Sequence, residues 1–330
     1  MQVIELRERL VEMFSQEFDV SPVAGGANNR GFRATNSQYD FFIKAFNPQL
    51  PNALYKLNNE YAFSEYLDKQ QIENIAKPVA KNEEHCFAVY HFIEGNKVNQ
   101  LDQHDIDQAL AFLIAINSSQ TDVCTFQNNA SDACFSLLDF YALVASRLNR
   151  LHKITNQPPE LHAILNAITQ DSKKIKNIIT ELNAITLPSM LSPSDFGFHN
   201  ALLKADQWYF IDFEYAGYDS SWKCLADFIS QPQIPVPEQQ VRDCLVHPLF
   251  ERIPAHAEAF LAAFELTQLK WCLIMLNEFL PEMSQRRAFA KPEFCLKQAK
   301  NQKLEQCHHY YNAIQGRCSF LSNLMSELSL

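Results

Sequence analysis

Three residues of this chain have the types and spacing for one particular chemistry: Asp195, Asn200 five positions later, and Asp212 twelve beyond that. They lie in Ser194-Asp-Phe-Gly-Phe-His-Asn200 and in Trp208-Tyr-Phe-Ile-Asp-Phe-Glu214. A loop carboxylate at Asp195 can accept the proton of an attacking hydroxyl. The side-chain oxygens of Asn200 and Asp212 are hard donors of the kind Mg2+ prefers. Together the types and spacing suit a phosphoryl-transfer site, where catalysis would rest on positioning and on charge set against phosphate oxygens. The apolar run from Trp208 to Phe213 reads as a strand that holds Asp212 rigidly. Alone, Asp195 and Asn200 also suit an Asx-rich turn between helix and strand. The Ile211-Asp-Phe-Glu214 end, at this distance, is what makes the pattern specific.

On these residues the chain resembles the aminoglycoside phosphotransferase and choline kinase-like family, which shares its fold with protein kinases. Members carry a His-x-Asp-x-x-x-x-Asn loop and a later Ile-Asp-aromatic-acidic strand end. The resemblance implies an α+β, bilobal protein kinase-like fold. A small antiparallel-sheet N-lobe would span residues 1–93 and a larger, mainly helical C-lobe residues 94–330. It also implies transfer of the γ-phosphoryl group of ATP, with GTP as the other possible donor, to a hydroxyl of a small molecule such as a sugar, an aminoglycoside or an amino alcohol. Asp195 would be the catalytic base, and Asn200 and Asp212 would hold Mg2+. The chain departs from the pattern at the loop's first position, where Pro193 stands for the usual histidine. In the family that histidine braces the loop. His199 lies elsewhere and is not expected to inherit the role.

The N-terminal part supplies further candidates. Gly25-Gly-Ala-Asn-Asn-Arg-Gly31 joins two candidate strands, as the phosphate-covering loop of such kinases does. No Gly-Lys-Ser/Thr opens a helix there, so it is not a Walker A loop. Within it Gly25, Gly26, Asn28, Asn29 and Gly31 are the expected nucleotide-binding positions. Lys44 sits in Phe41-Phe-Ile-Lys-Ala-Phe46, and a charge inside so apolar a strand needs a partner. The resemblance implies that Lys44 meets the ATP phosphates and pairs with a glutamate on the next helix. Glu60 is the best placed, with Glu65 as rival. Phe87–Gly95 resembles the hinge, whose backbone at Phe92, Ile93 and Glu94 would bond adenine. Asp227, in a later helix, would support the catalytic loop.

The elements that must carry these residues follow from pattern. Residues 2–16 and 53–69 read as helices, 19–46 and 86–93 as strands, and 190–216 as a strand-rich island. Helical spacing marks 137–151, 161–168 and 175–185. The apolar stretch 269–280, stopped by Pro281, is too short for a membrane helix and reads as buried. Only seven glycines occur, so each should sit where the backbone needs its freedom or a close approach.

With 330 residues and 47% hydrophobic content, the chain has material for two lobes around a cleft. A net charge of −10 argues against nucleic-acid partners. The N-terminus, with charges in a helical period, does not read as a signal peptide. Nine cysteines without a CxxC pair suggest neither a disulfide framework nor a zinc site, and so a reduced, cytoplasmic setting. Cys307-His308-His309 reads as a helix surface rather than a metal site. Two other readings compete: an atypical protein kinase, disfavoured because no Asp-Phe-Gly to Ala-Pro-Glu segment follows Asp212, and a non-catalytic nucleotide-binding module, motivated by Pro193.

Overall fold

The computed structural model describes residues 2–23, 28–98, 100–118, 126–182, 185–250, 253–290 and 295–328. Helix α1 (Val3–Phe14) leads into β1 (Asp19–Val23), β2 (Arg30–Thr35) and β3 (Asp40–Ala45). Then come α2 (Ala53–Lys69), β4 (Pro78–Asn82) and β5 (Phe87–His91). The five strands form one antiparallel sheet in the order β1-β2-β3-β5-β4. Between β2 and β3 the Asn36 side chain accepts from the amides of Gln38 and Tyr39, both at 2.9 Å, which fixes the turn.

Strand alternation decides what each face of this sheet meets. Phe32, Ala34, Phe41, Ile43, Phe87 and Val89 pack on Leu6 and Leu10 of α1. The opposite face carries Ala88 and Tyr90 against Leu57 and Tyr61 of α2. Lys44, between Ile43 and Ala45, is thereby turned toward α2. That helix is shared: Phe63, Tyr66 and Leu67 join the large core of the following part. Lys56, Asn59 and Glu60 are buried polar residues of the same helix.

The rest of the chain is mostly helical. Helices α3 (Gln103–Ser118), α4 (Leu137–His152) and α5 (Pro159–Glu181) come first. Ser136 caps α4 in a reciprocal pair with Asp139, and a proline opens α5, as helix starts favour. Next are β6 (Ser189–Ser192), β7 (Ala201–Lys204), β8 (Gln207–Phe210) and β9 (Gly217–Ser220). Strands β7 and β8 form a hairpin whose turn residues, Ala205 and Asp206, both have positive φ, as the tight hairpin turn requires. Strand β6 pairs with β9. Gly217 lies against the chain at Asn128–Ala130, where an added Cβ would sit 2.4 Å from backbone atoms, so no side chain fits. Finally come α6 (Ser221–Ser230), α7 (Glu238–Val246), α8 (Ala257–Met275), α9 (Pro281–Ala290), α10 (Leu296–Asn312) and α11 (Ile314–Leu328).

Several expectations are corrected. The strand leading to Asp212 stops at Phe210, and Asp212 itself has φ 69°, so a left-handed bend and not a strand presents it. The two helical patterns at 161–168 and 175–185 are one helix ending at Glu181. Strand β4 was not foreseen, because its half-buried Pro-Val-Ala-Lys-Asn carries no clear alternation. Helix α8 with the tight turn after it (Ala257–Phe279) is long and apolar enough to cross a membrane by length and composition, contrary to the shorter reading. Its most apolar window is 83% buried inside the protein, which supports the buried reading.

Candidate active site

The site begins with a lysine that the sheet delivers to α2. Lys44 Nζ lies 2.6 Å from Glu60 Oε2, 2.5 Å from Asp212 Oδ1 and 3.8 Å from Glu214 Oε2. Sequence reasoning put Lys44 and Glu60 together, and the structure joins them. Glu65, five residues further along α2, falls on a different face of the helix from Glu60. A second lysine, Lys56, precedes Glu60 by one helical turn. Its Nζ is 2.6 Å from Glu214 Oε1 and also donates to the Tyr215 hydroxyl. Asn29 Nδ2 reaches Glu214 Oε2 at 3.0 Å. Asn59 Nδ2 donates to the carbonyl of Ala216 at 2.9 Å, fixing the chain that carries the acids.

Three carboxylates thus face two ammonium groups in a largely water-free setting. Burial alone would discharge Lys44, but Asp212, Glu60 and Glu214 outweigh it and hold its pKa above the ordinary value. Burial lowers that of Lys56, only partly offset by Glu214. Glu214 stays ionised despite burial, because Lys44 and Lys56 pull its pKa down to about 2. The surplus negative charge falls on Glu60: burial, opposed by Lys44 but aided by Asp212 and Glu214, pushes its pKa up to about 8.

This arrangement fits a divalent cation. Oxygens of Glu60, Asp212 and Glu214 lie within 4.8 Å of one another, the one group of possible metal ligands among the described residues. They are hard donors, one acid more numerous than the ammonium groups beside them, and Asp212 is the open member, its side chain 41% exposed. Of the two metal positions foreseen, Asp212 belongs to this group. Asn200 sits on the loop beside it, its amide nitrogen donating to the Asp195 carbonyl and its amide oxygen left for another partner.

That loop leaves β6 through Ser192. Asp195 N–H donates to the Pro193 carbonyl at 3.0 Å, and Asn200 Nδ2 donates to the Asp195 carbonyl at 3.0 Å. Ile211 N–H then donates to the Asn200 carbonyl at 2.9 Å, which links the loop to the residue before Asp212. His199, which was not expected to inherit the brace of the usual loop histidine, lies with its Nε2 3.1 Å from Asp195 Oδ1.

The remaining candidates divide. Gly25 and Gly26 lie outside the described residues. Asn28 accepts from Arg287 of α9 at 3.4 Å, and Gly31 is paired with Lys44 across β2 and β3. At the expected hinge, Phe92 N–H donates to the Asp40 carbonyl and Gly95 N–H to that of Ile93, each at 3.0 Å. The Arg33 guanidinium lies 4.1 Å from the Phe92 ring centre, and Asn96 bridges to Leu203, so Phe92, Ile93 and Glu94 lead from the sheet to the β7–β8 hairpin. Asp227 does not reach the catalytic loop. Its carboxylate is taken by Lys223, at 3.0 Å, and by Lys270, because the α6–α8 interface supplies two buried ammonium groups. Cys307 is buried against the Cys272 carbonyl and is not a helix surface.

Sequence reasoning missed Lys56, Tyr215, Arg287 and the part played by His199. Lys56 carried a signal: it stands four residues before Glu60, the spacing that puts two side chains on one helical face.

Comparison with known proteins accords with this geometry. No curated protein matches the chain. A choline/ethanolamine kinase family protein from Mesorhizobium loti is similar in structure, with a TM-score of 0.61, 15% identity, and 98% of this chain and 99% of that one covered. The gentamicin-APH(2")-IIa complex gives 0.64, 14%, 93% and 96%. Spectinomycin phosphotransferase APH(9)-Ia, in complex with ADP and spectinomycin, gives 0.53, 14%, 94% and 98%. These likenesses establish the protein kinase-like fold. The sequence model of the phosphotransferase enzyme family matches residues 19–222, more than half of the chain, and the chain belongs to that family.

Proposed function

We propose that this chain is a small-molecule kinase that moves the γ-phosphoryl group of ATP to an acceptor hydroxyl in a Mg2+-dependent reaction. The observation that carries the reading is the Lys44 ammonium held between Glu60 and Asp212, with the Asp195–Asn200 loop tied to the same bend. The ADP bound to spectinomycin phosphotransferase supports a nucleotide as the phosphoryl donor of this chain. The spectinomycin and gentamicin complexes support a small-molecule acceptor.

In this reading Lys44 positions the nucleotide phosphates, and Glu60 keeps its ammonium aimed. Asp212 would hold Mg2+, with the Asn200 amide oxygen as its second ligand; when bound, the ion supplies positive charge against the β and γ oxygens. Asn29, bonded to Glu214, lies beside that region. Lys56 and Tyr215 keep Glu214 fixed and ionised beside Lys44. Asp195 orients the acceptor hydroxyl and takes its proton. The chain's contribution is mainly alignment and a preset field, as phosphoryl transfer demands.

The test is Asp195→Ala. It should bind Mg–ATP as the parent does and lose about 10²- to 10⁴-fold in turnover, the range for removing a general base. Full transfer by this variant would remove Asp195 from the mechanism.

A further inference from the structure

We propose that His199 is the positioning residue of the catalytic loop, aiming the Asp195 carboxylate through its Nε2 and so replacing the brace that Pro193 cannot provide. The inference rests on the phosphotransferase reading, and it concerns how this chain keeps a working loop without the usual histidine.

The alternation of side chains in residues 195–200 shows how the loop is built. Phe196 and Phe198 point into the core, where Phe196 lies within 5.0 Å, centre to centre, of Phe210 and of Phe228, and Phe198 lies 4.8 Å from Trp208. These two anchors fix the backbone and leave Asp195, Gly197 and His199 along the other side. The His199 side chain is nonetheless only 7% exposed, whereas that of Asp195 is 35% exposed. One oxygen of the carboxylate is therefore held by a buried ring, while the group as a whole stays within reach of a substrate.

The direction of the bond follows from donor chemistry. An ionised carboxylate only accepts, so the shared proton belongs to His199 Nε2. The other ring nitrogen, Nδ1, is buried and has no hydrogen-bond partner among the described residues.

Gly197 gives independent support. A Cβ added there would lie 2.9 Å from His199 Nδ1, closer than real Cβ contacts come, and a tight 3.2 Å from Cε1, at a backbone φ of 157° that itself favours glycine. The glycine makes room for the imidazole. The backbone around the ring is pinned as well: Lys97 donates to the His199 carbonyl, and Ser194, at φ 69°, donates its amide to Ser192 Oγ at 3.0 Å. With Asn200 on the Asp195 carbonyl and His199 on its carboxylate, the aspartate is held at both ends.

The test uses His199→Leu, His199→Gln and Gly197→Ala in the full chain, with Mg–ATP hydrolysis as the reaction and water as acceptor. His199→Leu should lower kcat about 10²-fold, the cost of a misaimed group, with the KM for Mg–ATP and the unfolding midpoint near the parent's. The Gln amide can still donate to Asp195, so His199→Gln should recover to within about fivefold of the parent. Gly197→Ala, which meets both the ring and a backbone conformation that disfavours side chains, should lose at least as much turnover as His199→Leu. A ¹⁵N-histidine NMR spectrum supplies a readout independent of turnover: the His199 signals should show a proton on Nε2 and should shift in Asp195→Asn. Parent-like kcat in His199→Leu, a His199→Gln as impaired as His199→Leu, or a proton on Nδ1 alone would overturn the inference. Undiminished hydrolysis in Asp195→Ala would instead overturn the phosphotransferase role of that residue.

Discussion

Two buried clusters of charge in this molecule use the same kinds of side chain and differ in balance and access. Around Lys44, the carboxylates of Glu60, Asp212 and Glu214 face two ammonium groups, and Asp212 opens to solvent. Under α6 and α8, Asp219 and Asp227 meet Lys223 at 3.0 Å each, Lys270 completes Asp227, and Asp132 pairs with Arg147. Here three acids meet three bases, and Asp219, Lys223 and Asp227 are almost fully buried. Burial works against both partners of the Asp227–Lys223 pair, yet each is held charged, Asp227 with its pKa below and Lys223 well above the ordinary value. The balanced, closed cluster joins helices. The unbalanced, open one has one acid more than it has bases, which a cation would displace from its proton.

The largest effect that would sharpen this contrast is on turnover. Asp212→Asn should reduce phosphotransfer by about 10³-fold or more, while the unfolding midpoint stays level or rises because a crowded carboxylate has gone. Retained Mg2+-dependent turnover would place the metal elsewhere. The closed cluster should behave in the opposite way. Lys270→Met leaves Asp227 short of one partner and should cost about 3–5 kcal/mol in urea unfolding, with kcat per folded molecule unchanged. A loss of activity without loss of stability would show that this cluster serves the reaction.

The smallest effect is the most diagnostic of the surplus charge. Native Glu60 holds its proton up to about 8, while the unfolded chain releases it near the ordinary carboxylate value of 4.5. Between these values the native state binds more protons, so this group's contribution to stability is present below pH 4.5 and is lost as pH rises toward 8. Urea midpoints of the cation-free protein should therefore decline gently from pH 5.5 to 8, and Glu60→Gln should flatten that slope. An unchanged slope in the variant would assign the surplus to another group.

What was legible in the sequence follows the local periodicities. A lone charge inside the apolar run Phe41–Phe46 marked Lys44, and helical spacing put Glu60 on the inward edge of α2. Both hold because they depend on one element at a time. The identity of Asp212 was legible, but its left-handed conformation was not, since an Ile-Asp-Phe run gives no local reason to leave the strand. His199 was misjudged for a related reason. Its contact with Asp195 depends on two phenylalanines turning inward and on space at Gly197, which no spacing rule records. Asp227 was recognisable as a special acid, yet its partner Lys270 stands forty-three residues away on another helix.

The most direct test of the central claim is transfer of label from γ-³²P-ATP across a library of hydroxylated metabolites. The account predicts label on a small molecule, dependent on Mg2+ and lost in both Asp195→Ala and Asp212→Asn. Label confined to protein, or transfer that survives both substitutions, would contradict it.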